Sequence, residues 1–293
     1  MSIIAKLTLR HLLENRKRTA VTILGIATST ALISSILLGV FSFFKFFAFL
    51  ATRTDGNVHA AFYELTKEQA DLLRADERIA LAGVTDTDPT VSGVRVDSGK
   101  EDRFRIGNIA HGDFDYYAAM VVSDFDGRLP ENASEIAVEE KFLSDNGLSL
   151  QVGDALSFEQ GNRRYYDEGG KIVYLAGNYR SDETFDAISF ETCTVTAILH
   201  GNRPTSGYDI LRGMDEGYFP SLKHSEVRIS LKKCDHTAIK QIKQIAETYG
   251  ISKYALNTEY MLSVFAFEGS VGAYRSFFVI MAIALGIVII TSV

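Results

Sequence analysis

Few groups of side chains in this 293-residue sequence have the types and spacing to do chemistry. His111, Asp113 and Asp115 stand at i, i+2 and i+4, where a tight loop would bring an imidazole and two carboxylates together as part of a metal shell or an acid–base pair. No second carboxylate–histidine motif completes the shell, so incidental loop residues are the simpler reading. Gly161-Asn162-Arg163-Arg164 has the small and cationic residues of a phosphate cradle but lacks the strand–turn–helix setting. Cys193 and Cys234 are too few for a disulfide scaffold or a four-cysteine zinc site, and two separate thiols are expected. Asn132-Ala133-Ser134 fits the glycosylation pattern, which matters only in a eukaryotic secretory pathway. The sequence has no His-Glu-x-x-His, no Gly-x-Ser-x-Gly and no Walker A motif, so ATP is not bound here in the P-loop manner. The expectation is a chain with no catalytic, metal or cofactor-binding residues, and not an enzyme.

The elements around these residues fall into two materials. From Thr19 to Phe44 there are 26 residues without a charge. A helix of that length reaches roughly 39 Å, more than the ~30 Å hydrocarbon core of a bilayer. A second uncharged block runs from Phe277 to Val293 and stops with the chain, which reads as the front part of a longer protein. Lys6, Arg10, Arg16, Lys17 and Arg18 precede the first block against the single acid Glu14, which places that end in the cytoplasm. Arg16, Lys17 and Arg18 are the expected topology and lipid-contact residues. A cleaved signal peptide fits poorly, because the apolar run is too long and Phe41, Phe43, Phe44, Phe46 and Phe47 sit where small residues belong. Ile3, Ile4, Leu7 and Leu13 share a helical stripe suited to the inner membrane surface. Gly25 with Ser29, Ala27 with Ala31, and Ser35 with Gly39 are small-xxx-small pairs that would let another helix approach.

Residues 46–273 carry 23 basic and 36 acidic side chains, a balance of −13 that disfavours nucleic acid as a partner. Val58, Ala60 and Phe62 alternate as on a half-buried strand, and Thr66 with Gln69 forms a capping box for a helix with Ala70 and Leu73 inward. Ile79 to Val84 resumes a strand. Val227, Ile229 and Leu231 repeat the pattern. Asp235 caps a helix whose stripe is Ala238, Ile239, Ile242, Ile245 and Ala246, Gly250 ends it, and Ile251 to Leu256 follows as a strand. Two strand–helix–strand units around a long insert predict a ferredoxin-like α+β domain. In the insert, Phe104 with Ile106 and Ala155 to Phe158 predict strands. Cys193, Val195, Ala197 and Leu199 are expected on one strand face, with Thr192, Thr194 and Thr196 on the other. Arg163 to Gly170 and Tyr174 to Asp186 read as loops, and Thr258 to Ala273 as a stalk helix.

Three stretches then carry a family resemblance. They are Leu7-Thr8-Leu9-Arg10 through Arg18-Thr19 leading into Gly25-Ile26; Gly127-Arg128-Leu129-Pro130-Glu131-Asn132 with Glu135-Ile136-Ala137-Val138 and Val152-Gly153-Asp154; and Thr194-Val195-Thr196-Ala197-Ile198. In this order, between membrane blocks, they resemble the permease subunits of ABC transporters in the FtsX-like/MacB-like family. Gly127, Arg128, Pro130, Glu135, Ile136, Gly153 and Asp154 match the core motif of the MacB-type periplasmic domain. The resemblance implies a porter-like subdomain and an inserted β-rich one outside the membrane. It also implies a separate cytoplasmic ATPase that binds the ATP, and a homodimer or second permease half. The later membrane helices and cytoplasmic coupling segment of that family are absent from these residues.

The expected organisation is a cytoplasmic amphipathic helix over 1–18, a transmembrane helix and stalk over 19–50, and a porter-like subdomain over 51–110 and 200–257. The insert would cover 111–199, a stalk helix 258–276 and a second transmembrane helix 277–293. The expected function is mechanical, an N-terminal permease fragment in a bacterial cell membrane with its middle domain extracytoplasmic. A membrane-anchored ligand sensor would share this layout and differ beyond residue 293, and an anchored hydrolase would need a catalytic set that the motifs do not supply.

Overall fold

The computed structural model describes residues 14–120, 124–175, 177–200, 207–235, 237–258 and 260–261, with the isolated positions 279, 282, 283 and 286. The chain divides into two units, residues 1–47 with 266–293, and residues 48–265.

Helix α1 runs unbroken from Arg16 to Asp55. Its segment Arg16–Ile36 is long and apolar enough to cross a membrane, and none of its most apolar window is buried within the protein. Val21, Ile23, Leu24 and Ile26 all stand more than 60% exposed. Thr30 donates to the Ile26 carbonyl (2.8 Å) and Ser35 to that of Ala31 (2.8 Å), so these hydroxyls bring no unmet polar demand to an apolar surrounding. Val279, Ala282, Ile283 and Gly286 are helical positions, and Val279 and Ile283 are exposed. The rest of the second apolar block, most of the stalk over 258–276 and the amphipathic segment through residue 13 lie outside the described residues.

The second unit is built on one twelve-stranded sheet. Its first part comprises β1 (Ala60–Tyr63), α2 (Lys67–Ala75) and β2 (Ile79–Asp86). The insert follows with β3 (Gly93–Val96), the helical turn α3 (Asp102–Arg105), β4 (Ile106–Gly112), α4 (Phe114–Ala119), β5 (Phe125–Gly127), β6 (Glu135–Glu139) and α5 (Glu140–Asn146). It continues through β7 (Ala155–Tyr166), β8 (Ile172–Tyr174), β9 (Thr184–Leu199) and β10 (Ile210–Arg212). The chain then returns as β11 (Ser225–Leu231), α6 (Ala238–Thr248) and β12 (Tyr254–Leu256).

Four strands from the two ends of this unit lie in the order β12-β1-β11-β2, every neighbour antiparallel. The Thr66 hydroxyl accepts from Gln69 N while Gln69 Oε1 accepts from Thr66 N, which satisfies two donors at the start of α2. Ala70 and Leu73 of α2 and Ala238, Ile242, Ile245 and Ala246 of α6 pack on Phe62, Val84, Val227 and Ile229 in one apolar core. Each fully buried Leu, Ile, Val or Phe side chain there contributes about 1.5–3 kcal/mol. The α6 N-cap is Thr237, whose N–H and hydroxyl both bond Asp235 Oδ1. Gly250, with φ +65°, ends the helix in the left-handed turn that favours glycine.

The insert closes on itself. Strands β3, β4, β10, β6, β9 and β7 form a six-membered ring, completed by the parallel pairing of β10 with β4. Alternation sends Val94, Ile109, Ile136, Val138, Leu156, Phe158, Val195 and Ile210 into one core. Ala110, Ala137 and Leu211 point outward and pack with Tyr116, Tyr117 and Met120 of the α4 region. The ring draws on residues 93–212, wider than the expected insert of 111–199, because β3, most of β4 and β10 supply three of its walls.

Three local expectations are corrected. Phe104 lies in the helical turn α3, and strand β4 begins only at Ile106. Arg163–Tyr166 and Thr184–Asp186, expected as loops, are paired strand residues, with Ile172–Tyr174 pairing on β7 beside them. Cys193 and Val195 face the ring interior, whereas Ala197 and Leu199 face outward. A register shift opposite Ile136 and Ala137 leaves Thr196 as the extra residue and reverses the alternation.

Candidate functional site

The structure disperses the His111–Asp115 grouping. Asp113 caps α4 by accepting from Tyr116 N (2.7 Å) and pairs with Arg74 (2.5 Å), and burial raises its carboxyl pKa. His111 turns the other way, into one end of the ring. There Gln160 Nε2 donates to the Val91 carbonyl (3.0 Å) and lies 2.9 Å from His111 Nε2. Gln160 Oε1 accepts from Arg212 Nη1 (2.7 Å), which fixes the amide, and His111 Nε2 also lies 3.2 Å from the Val91 carbonyl. Burial, followed by the Arg212 charge, lowers the His111 pKa to about 4. Asp115 takes no part in this network. Among the described residues no group of three His, Cys, Asp or Glu side chains could hold a metal ion. Cys193 and Cys234 are both free thiols, raised in pKa by burial.

The motif residues, by contrast, converge on the β9 bulge. The Thr196 carbonyl accepts from Arg128 N (2.8 Å), and a side chain at Gly127, where φ is +95°, would collide with that same carbonyl. Arg128 grips Glu135 with both terminal nitrogens, Nη1 to Oε2 at 2.8 Å and Nη2 to Oε1 at 2.5 Å. That grip lowers the Glu135 pKa. Glu135 also accepts from Glu131 N (3.0 Å). Gly153 N donates to the Val195 carbonyl and Val195 N to the Asp154 carbonyl, both 2.8 Å, while Asp154 Oδ2 accepts from Gln151 N (2.8 Å). Pro130 and Ile136 are buried beneath this knot. These bonds hold the bulged strand in register.

Arg16, Lys17 and Arg18 occupy the first turn of α1, and Gly25, Ser29, Ser35 and Gly39 lie further along it, with open space around both glycines.

A second convergence was not singled out by sequence spacing. It is the joint at which α1 ends and the chain enters and leaves the sheet. Gly56, with φ +75°, follows the last residue of α1, and a Cβ there would sit 2.5 Å from Met120 Cα and 2.6 Å from the Ala119 carbonyl oxygen. Asn57 N donates to that carbonyl (2.7 Å), and the Asn57 carbonyl accepts from Ser230 Oγ. The chain end of α1 is therefore bonded to the end of α4, which itself follows β4 of the ring within two residues. On the outgoing side, Asn257 N donates to the His59 carbonyl (3.0 Å), and Asn257 Oδ1 caps the next turn by accepting from Tyr260 N (3.0 Å). His59 Nδ1 accepts from Leu231 N (2.7 Å), and burial lowers its pKa to about 4, so the neutral ring carries its proton on Nε2. That Nε2 and Asn257 Nδ2 are buried without a hydrogen-bond partner. No composition or spacing rule marks these groups, because the partners lie about 60 to 200 positions apart in the chain.

No family model matches the chain, and no curated protein matches it. Among solved structures, the extracellular domain of the noncanonic ABC-type transporter YknZ from Gram-positive bacteria is 10% identical, with 68% of this chain and 98% of that one covered and a TM-score of 0.41. The periplasmic region of MacB from Actinobacillus actinomycetemcomitans is 8% identical over 74% of this chain and 96% of that one, with a TM-score of 0.42. A domain of a permease protein from Porphyromonas gingivalis, described there as putative, is 8% identical over 66% and 83%, with a TM-score of 0.36.

Proposed function

We propose that the chain is the N-terminal part of an ABC transporter permease in a bacterial cell membrane, with its N-terminus cytoplasmic and residues 48–265 extracytoplasmic. It makes and breaks no covalent bonds. A separate cytoplasmic ATPase binds and hydrolyses the ATP, the helices at both borders cross the bilayer, and the permease works as a homodimer or with a second permease half. The observation that carries this reading is the joint. Strands β1 and β12 pair antiparallel, with Ala60 opposite Leu256, so the chain enters and leaves the domain side by side. Gly56 and Asn57 tie the end of α1 to α4, and α4 is continuous with the ring. The Asn57–Ala119 backbone bond then carries motion of the last turn of α1, within the second unit, to α4 and so to the insert.

The ring and the four-stranded half then act as levers moved by the membrane helices, for export or for transmission of force. The basic cluster Arg16–Arg18 supports the orientation, each charge contributing about 1 kcal/mol at an anionic surface. The test is affinity purification of the full permease from its own membranes in mild detergent. An ATPase that co-purifies in stoichiometric amount supports the reading. A full-length permease that purifies intact and without any ATPase rejects it.

A further inference from the structure

Strand β9 leaves part of one edge open. One edge follows β7 from Thr184 to Thr194, and the other follows β6 only from Thr194 onward. Just before that point Arg212 reaches across to Glu191 (3.1 Å), and Thr194 N donates to the Ser134 carbonyl (2.9 Å). Among the described residues, no strand and no backbone hydrogen bond covers this second edge over residues 185–190. The run has no lysine and no proline, the residues that keep an exposed edge solitary. Phe190 is 70% and Ile188 58% exposed along it. Its one charged side chain, Asp186, is paired with Arg164.

The side chains along this edge read alike in both directions. Phe185 and Phe190 lie opposite Arg163 and Glu159 on the outer wall of the ring, while Asp186 and Ser189 lie opposite Asn162 and Gln160 on the other face. Between them Ala187 and Ile188 share one place in the ladder, because the register shifts there by one residue. The bulge gives the run a two-fold pattern that plain alternation would lack. Two such edges set antiparallel about the Ala187–Ile188 bond bring Phe185 opposite Phe190 twice, and Asp186 opposite Ser189 twice. Cross-strand aromatic pairs stabilise a sheet, and in this register no carboxylate meets another. A contact between identical copies needs such self-complementarity. We propose that β9 pairs with β9 of a second copy of this chain over residues 185–190, which joins two rings in one continuous sheet. Such a seam rests on the homodimer form of the transport reading.

Opposite Cα atoms of antiparallel strands stand about 4.5–5.5 Å apart, within reach of a disulfide. The full permease carrying both Asp186→Cys and Ser189→Cys is oxidised in its membranes and run without reductant. A covalent dimer is expected. Either single change should give none, because each cysteine then lies three residues from its counterpart, roughly 10 Å away. Phe190→Lys, on an exposed side chain, should abolish the link at unchanged melting temperature. Should the double variant fail to fold, Ala187→Cys and Ile188→Cys on separately tagged chains take its place, and a link between the two tags is expected. The pairing is overturned if no link forms between folded chains, if a single variant links as well as the double one, or if Phe190→Lys links as before. A link to a different polypeptide gives the edge to another partner and overturns it too. A permease that elutes as a dimer without the link overturns this seam alone, whereas a monomer overturns the homodimer with it.

Discussion

The two halves of the second unit, residues 48–265, solve the problem of burial differently. The four-stranded half is closed by α2 and α6 over a core of aliphatic side chains and Phe62. The ring has an aliphatic core at one end but carries polar side chains at the other, where His111, Gln160, Arg212 and Glu191 are hydrogen-bonded in series. On its outer wall Arg163 and Glu183 are buried as a pair, their side chains 1% and 0% exposed. Arg163 also donates to Asn108 Oδ1 (2.6 Å) and to the Gly177 carbonyl (2.7 Å), which straps the segment after β8 onto the sheet. A core of interchangeable aliphatics tolerates small changes in volume, whereas a satisfied ion pair tolerates none in its partners.

The largest expected effect lies in that pair. Glu183→Gln, which leaves the guanidinium buried without its counter-charge, should cost about 3–5 kcal/mol in denaturant unfolding. The double change Arg163→Met with Glu183→Leu should recover much of that loss, because the desolvation penalty goes with the charges. A double variant no better than the single one would show that packing, not charge, holds the strap. In the four-stranded half, Ile242→Ala should cost about 2–4 kcal/mol through lost burial and a residual cavity. Ile242→Val should cost only about 1 kcal/mol, the graded response that the ring pair lacks.

Acid should strain both halves through their buried histidines. His59 and His111 each have a folded pKa of about 4, below the ordinary value of 6.5. Between those values the unfolded chain takes up protons that the folded chain refuses, so stability is full above pH 6.5 and falls as the pH drops toward 4. The loss is at most about 3 kcal/mol per histidine. Melting curves of His59→Gln and His111→Gln should each be flatter than the original over that window, and equal slopes would remove these histidines from the acid response. The smallest effect is the cap on α2, where Thr66→Ala should cost about 1 kcal/mol in the four-stranded half.

The same contrast explains what the residues reveal before folding. Thr66 with Gln69, the alternation of Val227, Ile229 and Leu231, and the stripe from Ala238 to Ala246 are local patterns, and the elements follow them because one apolar face meets one core. The hairpin of β7 and β9 carries polar residues on both faces around Arg163, since one face is covered by a buried ion pair, and it therefore resembles a loop. The reversal at Thr196 depends on a register set by β6, some sixty residues away, so alternation alone carries Ala197 and Leu199 to the wrong face. The motif residues Gly127, Arg128, Glu135, Gly153 and Asp154 are recognisable from a resemblance, but their common partner, the bulged β9, emerges only from pairing. The joint of Gly56, His59 and Asn257 is the least visible part, being made of backbone bonds between distant segments.

Placement of the middle unit outside the cell is the claim on which the mechanical reading rests. It is tested by Glu168→Cys at the exposed turn between β7 and β8, labelled in intact cells with a maleimide that does not cross membranes. Cys193 and Cys234 give little background, because burial keeps both thiols protonated. Labelling of intact cells at the same level as of opened ones is the expected result. Labelling that occurs only after the membrane is opened would place residues 48–265 in the cytoplasm and contradict the proposed permease.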